Sequence, residues 1–310
     1  MNRAAASFLF LGIAFACCIC VMSCTQQRDS PPQPNKESPS STLFAYERNA
    51  SIEVTSDTAW TIDGGVVRDA HFAASASPHG QVKFYLIRPS GSGPFAGVLF
   101  FHWLGRPKGN REEFFDEALH LVKEGVVAVL IQGYFPWRED PANGPTDRQT
   151  VVDQTIDTRK ALDLLLREPG VDPQRIAYVG HDYGAMFGAI LAGLESRVKT
   201  YVFVAGMGNF GDWSLKYWPA TATGGEKAYR DALDPVDPIH FVSHAAPAAL
   251  LFQFSNHDKY ISKETAAAFS DAASNPKTVQ WYDADHDMSI PDVQKDRHDW
   301  LDRQLGLSHP

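Results

Sequence analysis

RIAYVGHDYGAMFG, residues 175–188, is the stretch on which the reading of this chain turns. Residues 175–179 are a β-branched and aromatic run. Gly180-His181-Asp182-Tyr183-Gly184 then breaks it, and small and apolar residues resume at helical spacing. The segment predicts a strand, a sharp turn and a helix. One glycine stands two positions before Asp182 and another two positions after it. Such a pair lets strand and helix backbones approach closely around a strained turn that lifts the central side chain above a sheet. A plain helix N-cap, an ordinary role for Asp worth about 1 kcal/mol, requires neither glycine.

Outward from this stretch, 97–102 (GVLFFH) is a nearly continuous apolar run, as expected of a strand buried on both faces, and 126–131, 200–204, 248–254 and 278–282 supply further core strands. Helical periods cover 111–123, 147–167 and 292–305. Upstream, 52–54, 60–62 and 82–88 are strand-like and separated by Gly64-Gly65 and Pro78-His79-Gly80, which predicts an antiparallel start. Strands alternating with helices give an α/β class with a doubly wound, mostly parallel sheet, whose ligands gather at the carboxyl ends of the strands. There are no internal repeats.

Two polar loops follow the last core strands. Asp258 lies in SNHDKY after the strand at 248–254, and His286 lies in DADHD after the strand at 278–282. With Asp182 these residues stand in the order nucleophile, acid, histidine, and the GHDYG turn together with that order resembles the α/β-hydrolase superfamily from about residue 97 to the C-terminus. The resemblance implies an α/β-hydrolase fold and a catalytic triad of Asp182, Asp258 and His286. The elbow usually carries Ser, with Cys in dienelactone hydrolases and Asp in epoxide hydrolases and haloalkane dehalogenases. The long helix before the elbow, the run VDPQRIAYVGHDYGAM and the stretch DPVDPIHFV are dienelactone hydrolase-like.

The same resemblance implies an oxyanion hole from the backbone N–H groups of Trp103 and Tyr183. It also implies a small lid at about 206–240, a segment rich in Gly, Trp and Tyr. Trp213, Tyr217 and Trp218, with His102, are the expected substrate-pocket residues, and His102 reads as a structural histidine beneath the oxyanion loop rather than a proton carrier. Tyr229 lies in the same aromatic segment.

An elbow aspartate changes the chemistry. A carboxylate of reference pKa about 3.9 is ionised at neutral pH and needs no base for its attack. Attack on an ester carbonyl would give a mixed anhydride, whereas attack on an sp³ carbon bearing a halide or epoxide oxygen gives an alkyl-enzyme ester. His286, oriented by Asp258, would then activate water. The expected function is a hydrolase acting on a small apolar epoxide, haloalkane, ester or lactone. The alternative is a non-catalytic binding or scaffolding lipoprotein on a degenerate hydrolase fold, since fold does not decide function. No cofactor and no metal site are expected, and the spacing in DADHD matches no cation-binding loop.

With 310 residues and 44% hydrophobic content the chain suits one large domain and excludes wholesale disorder. A formal charge of -9 and no local Lys/Arg cluster argue against nucleic-acid partners. Residues 1–23 hold one charge, Arg3, and an apolar run from Phe8 to Met22, the layout of a secretory signal. Val21-Met22-Ser23-Cys24 resembles a lipobox, which implies lipidation of Cys24 and a bacterial cell-envelope location, facing periplasm or exterior. The other cysteines, Cys17, Cys18 and Cys20, fall inside the removed segment, so no disulfide is expected. Residues 24–42, rich in Pro, Ser and Gln, read as a tether, and the hydrolase domain is expected over 43–310.

Overall fold

The computed structural model describes residues 41–105 and 109–307. Three antiparallel strands open the sheet: β1 (Thr55–Ile62), β2 (Gly65–Ala73) and β3 (Gln81–Pro89). β4 (Phe95–Phe101), β5 (Val126–Ile131), β6 (Val171–His181), β7 (Thr200–Val204), β8 (Ala249–Ser255) and β9 (Lys277–Tyr282) are mutually parallel, and β3 joins them antiparallel to β5. The order is β1-β2-β3-β5-β4-β6-β7-β8-β9. Every residue of β4, β5 and β7 is buried, as the continuous apolar runs predict for strands covered on both faces.

Period-two alternation sends each central strand into two separate cores. Val98, Phe100, Ala128, Val179 and Val202 pack with α1 (Phe115–Lys123) and α8 (Pro291–Leu305). Leu99, Phe101, Val129, Tyr178 and Phe203 pack on the other face with α2 (Gly144–Arg167) and α3 (Tyr183–Leu194). After β4 the chain crosses by α1 to β5 on one side, and after β6 it crosses by α3 to β7 on the other. The β4–β6 pair is therefore the switch point, and a crevice opens beyond its carboxyl ends.

The insertion between β7 and β8 folds as α4 (Phe210–Tyr217), α5 (Glu226–Leu233) and α6 (Pro238–Val242) with two short 3₁₀ turns. Phe44, near the start of the described chain, is fully buried with its ring 5.5 Å from that of Phe241. One expectation needs correction, and two elements lay outside the expectations. Residues 52–54 are not a strand. β2 was not anticipated, because Arg68-Asp69-Ala70-His71 interrupts its alternation and hides its period. α7 (Lys263–Ala272) was also missed, although Ser262 caps it by accepting from the Thr265 N–H at 3.2 Å.

The turn between β6 and α3 is as tight as its glycines suggest. Asp182 has φ 52 and ψ −113, a conformation costly for any residue with a Cβ. A methyl group on Gly184 would lie 2.1 Å from the Phe101 carbonyl oxygen at the end of β4, and one on Gly180 would lie 2.3 Å from the Gly184 oxygen. Both obstacles are backbone, so they cannot step aside. Gly184→Ala is expected to cost about 3 kcal/mol, the upper range for overpacking, lowering Tm by on the order of 6–12 °C. Gly224→Ala, whose methyl would meet only the Ala228 Cβ at 3.5 Å, should shift stability by less than about 0.5 kcal/mol. Equal Tm changes for the two variants, measured by thermal denaturation, would contradict this reading of the elbow.

Candidate active site

Asp182 stands at the head of α3 yet makes no side-chain bond to the helix, so a capping role does not account for it. Its residue is 3% exposed, its Oδ1 has no hydrogen-bond partner, and its Oδ2 lies 3.8 Å from His286 Nε2. Asp258 follows β8. Its Oδ1 accepts from the Tyr260 and Ile261 N–H groups at 2.8 and 2.9 Å, which leaves Oδ2 to accept from His286 Nδ1 at 2.7 Å. That bond puts a proton on Nδ1 and turns Nε2 toward Asp182. Three residues far apart in sequence thus form one line: Asp258, His286, Asp182.

The histidine sits between two carboxylates. Burial disfavours a charged imidazole, but the contacts and charges of Asp182 and Asp258 outweigh it and raise His286 from its ordinary 6.5 to about 10. At 3.8 Å the Asp182 contact is an ion pair rather than a hydrogen bond. Burial pushes the Asp258 carboxyl up, while the His286 bond and charge and the Ile261 and Tyr260 amides pull it down further, so it ends below its ordinary value.

A cavity of about 370 Å³ opens over Asp182 and His286, walled by Trp103, Leu104, Gly105, Trp213, Tyr217, Trp218 and Tyr260. The expected pocket residues Trp213, Tyr217 and Trp218 are all there, with ring centroids 4.7 and 5.0 Å from Trp213. The Trp213 indole N–H is buried without an acceptor. Burial is the largest influence on Tyr217, pushing its phenol to about 12 and keeping it protonated. Tyr260 was not anticipated. Its ring stands edge-on to His286 at 4.9 Å, and the only sequence signal is its place two residues after Asp258.

Two assignments change. His102 does not wall this cavity: it is 1% exposed, its Nδ1 donates to the Trp103 carbonyl at 2.7 Å, and its Nε2 accepts from the Gly133 N–H at 3.0 Å. Burial lowers it to about 3, so it is a neutral structural group under the loop, stapling β4 to the chain after β5. The Trp103 N–H, expected to receive an oxyanion, instead donates to Glu113 Oε2 at 2.6 Å. Tyr183 does hold the first position of α3, where helix N–H groups lack intrahelical acceptors. Its side chain is fully buried and walls no part of the cavity.

Glu113 and His181 were missed, and they tie the site together. His181 Nδ1 meets Glu113 Oε1 at 2.6 Å, its Nε2 donates to the His286 carbonyl at 2.9 Å, and its ring stacks on Trp103 at 4.9 Å. One carboxylate therefore links the loop after β4, the elbow and the backbone of the histidine. His181 was visible inside GHDYG, but its partners lie 68 and 105 residues away.

No protein-family model matches the sequence, and no curated protein matches it. Solved structures do. An acetyl xylan esterase from a Paenibacillus species aligns over 82% of this chain and 88% of its own, with a TM-score of 0.65 and 19% identity. Acetyl xylan esterase 1 from a Thermoanaerobacterium species aligns over 85% and 91%, with 0.67 and 13%. The fold is that of the α/β-hydrolases. A Klebsiella pneumoniae protein assigned to the dienelactone hydrolases shares the fold over 77% of this chain and 98% of its own, with 0.55 and 17%. On this α/β-hydrolase fold, Asp182 occupies the turn after β6 at the switch point.

The folded-state value of His286 lies above its unfolded value, so the histidine contributes stability in full below about pH 6.5 that is lost as pH rises toward about 10. Wild-type Tm is therefore expected to fall between pH 7 and 10 by more than that of His286→Gln. Parallel Tm curves for the two proteins would rule out the raised histidine.

Proposed function

We propose that this chain is a hydrolase that forms a covalent ester on Asp182. The observation that carries the reading is the Asp182 carboxylate itself: buried, held at positive φ, not used as a helix cap, and with one oxygen unpartnered beside a paired histidine. Strain and an unsatisfied polar atom of this kind are costs that function accounts for and packing does not. The substrate is a small apolar molecule with an electrophilic sp³ carbon, an epoxide or a haloalkane, sized to the aromatic cavity.

In the first step an Asp182 oxygen bonds to that carbon and the carbon's bond to halide or epoxide oxygen breaks, the electron pair leaving with the departing atom. A halide would leave into the aromatic cavity, and an alkoxide would take a proton from the Tyr217 or Tyr260 phenol. Esterification neutralises Asp182 and removes one of the two charges that hold His286 protonated, so once the ester exists the histidine gives up its proton, to the tyrosine phenolate after epoxide opening or to solvent when a halide leaves. It then becomes the base for the second step. Nε2 takes a proton from water, the hydroxide attacks the Asp182 carboxyl carbon, and collapse releases the alcohol and restores the carboxylate with one oxygen from water. The Tyr183 N–H is the backbone donor at hand for the tetrahedral oxyanion.

A second reading is ester hydrolysis with Asp182 as a general base, favoured by the names of the acetyl xylan esterases that share the fold. Intact-protein mass spectrometry separates the two. With an epoxide or haloalkane turned over by wild type, His286→Ala should stall after the first step and gain the mass of the substrate's alkyl group. Wild-type turnover in water labelled with heavy oxygen should place label in Asp182. An unshifted mass and an unlabelled Asp182 despite wild-type turnover would leave only the general-base reading. No turnover of epoxides, haloalkanes or esters would favour the binding lipoprotein.

The lipid anchor is proposed on the lipobox-like residues 21–24, which lie outside the described residues. Among the described residues no helix is long and apolar enough to cross a membrane. Cys24→Ser should abolish labelling by a radioactive fatty acid, and retained labelling would overturn the anchor.

A further inference from the structure

Away from Asp182, on the sheet face covered by α1 and α8, a carboxylate sits in an unfavourable place. Glu124 is the C-cap of α1, where helix carbonyls present partial negative charge, and it is 5% exposed. A buried anion at a helix C-terminus calls for a nearby cation. Lys123, the chain neighbour of Glu124, pairs instead with Asp63 at 2.6 Å, and Arg297, the chain neighbour of His298 on α8, pairs with Glu117 at 2.6 Å. Among the described residues the ion-pair partners of Glu124 are two histidines. His298 Nε2, from α8, lies 3.0 and 2.9 Å from its two oxygens, and His120 Nε2, one helical turn back on the same face of α1, lies 3.7 Å from Oε1.

The donor atoms of these three residues all lie within 4.8 Å of one another. A tetrahedral zinc-class centre, with metal–ligand bonds near 2.0–2.1 Å, sets donor atoms about 3.4 Å apart. The carboxylate stands 2.9 and 3.0 Å from His298 and 3.7 Å from His120, spacings that bracket that value, and a metal would be seated once the imidazole donors, within 4.8 Å of each other, close toward it. Two imidazoles and a carboxylate are a donor set that suits first-row transition metals rather than magnesium or calcium. The His120 side chain is 68% exposed and gives an ion access from solvent. It also lines, with His298, a cavity of about 620 Å³ carrying Glu113, Asp116, Glu117 and Asp287.

We propose that His120, Glu124 and His298 bind one divalent transition-metal ion of the zinc class, clipping the C-terminal end of α1 to α8. The cation balances the buried carboxylate that the helix end otherwise destabilises. Because α1 and α8 are far apart in sequence and cover the same sheet face, the ion acts on the fold as a cross-link, separate from Asp182 and its chemistry.

The test uses the full chain in detergent, without a polyhistidine tag, stripped with a chelator and titrated calorimetrically with Zn²⁺. Wild type should bind one equivalent, and Tm should rise with added Zn²⁺. Changes outside a ligand set already weaken binding 10–100-fold, so His120→Ala should weaken Zn²⁺ by at least about 100-fold and abolish the Tm rise. His120 is exposed, so its removal should leave the metal-free Tm and circular dichroism unchanged. Co²⁺ should give the intense visible absorption of a four-coordinate centre in wild type and not in His120→Ala. The proposal is overturned if wild type binds no Zn²⁺, or if His120→Ala binds it as tightly as wild type, which would place the ion on other histidines.

Discussion

The structure depends on a backbone contact in which the first turn of α3 rests against the carbonyl end of β4. Gly184 meets the Phe101 oxygen so closely that no side chain fits between them, and the Tyr178 hydroxyl donates to the Gly184 oxygen at 2.7 Å from beneath. This contact brings the ends of the two central strands together at the switch point. It also fixes where Asp182 projects: the residue leaves β6 with its N–H donated to the Val204 carbonyl at 2.8 Å and turns at positive φ before the helix begins. Rigidity at that point is set by excluded volume, which is steeper than any hydrogen bond.

Around that fixed carboxylate, charge would set the order of events in the proposed reaction. His286 is held protonated by two anions, one permanent in Asp258 and one that the proposed reaction consumes in Asp182. A nucleophile that arrives ionised makes a resting base unnecessary. In the proposed reaction, ester formation would weaken the hold on the proton, so that the base would be created by the step that needs it next. A serine at the elbow would reverse this logic, since it must be deprotonated before it attacks.

The supporting contacts come from unexpected directions. Glu113, at the start of the segment leading into α1, engages the Trp103 amide and the His181 ring, and His181 in turn holds the His286 carbonyl. The Trp103 loop is thereby tied to the histidine loop across the mouth of the sheet. The same network explains why the Trp103 N–H is not presented to the cavity, a point that motif position alone placed otherwise. The aromatic insertion adds the outer wall, with Trp213 packed edge-on to Tyr183 at 4.3 Å.

Much of this was legible in sequence, because its causes are local. The two glycines around Asp182, the unbroken apolar runs of β4, β5 and β7 and the turn residues between them state a doubly wound sheet with a strained elbow, and strand ends place Asp258 and His286 in neighbouring loops. β2 escaped notice because polar residues break its alternation. What only the tertiary structure decided is pairing over long range: which carboxylate receives the Trp103 amide, which ring nitrogen of His286 meets Asp258, and that His102 turns beneath its loop. It also decided that His298 meets Glu124 across 174 residues. Local pattern fixes which face a side chain points toward. The partner it finds there depends on how separate elements pack, and a sequence carries no distance between residues that meet only through the fold.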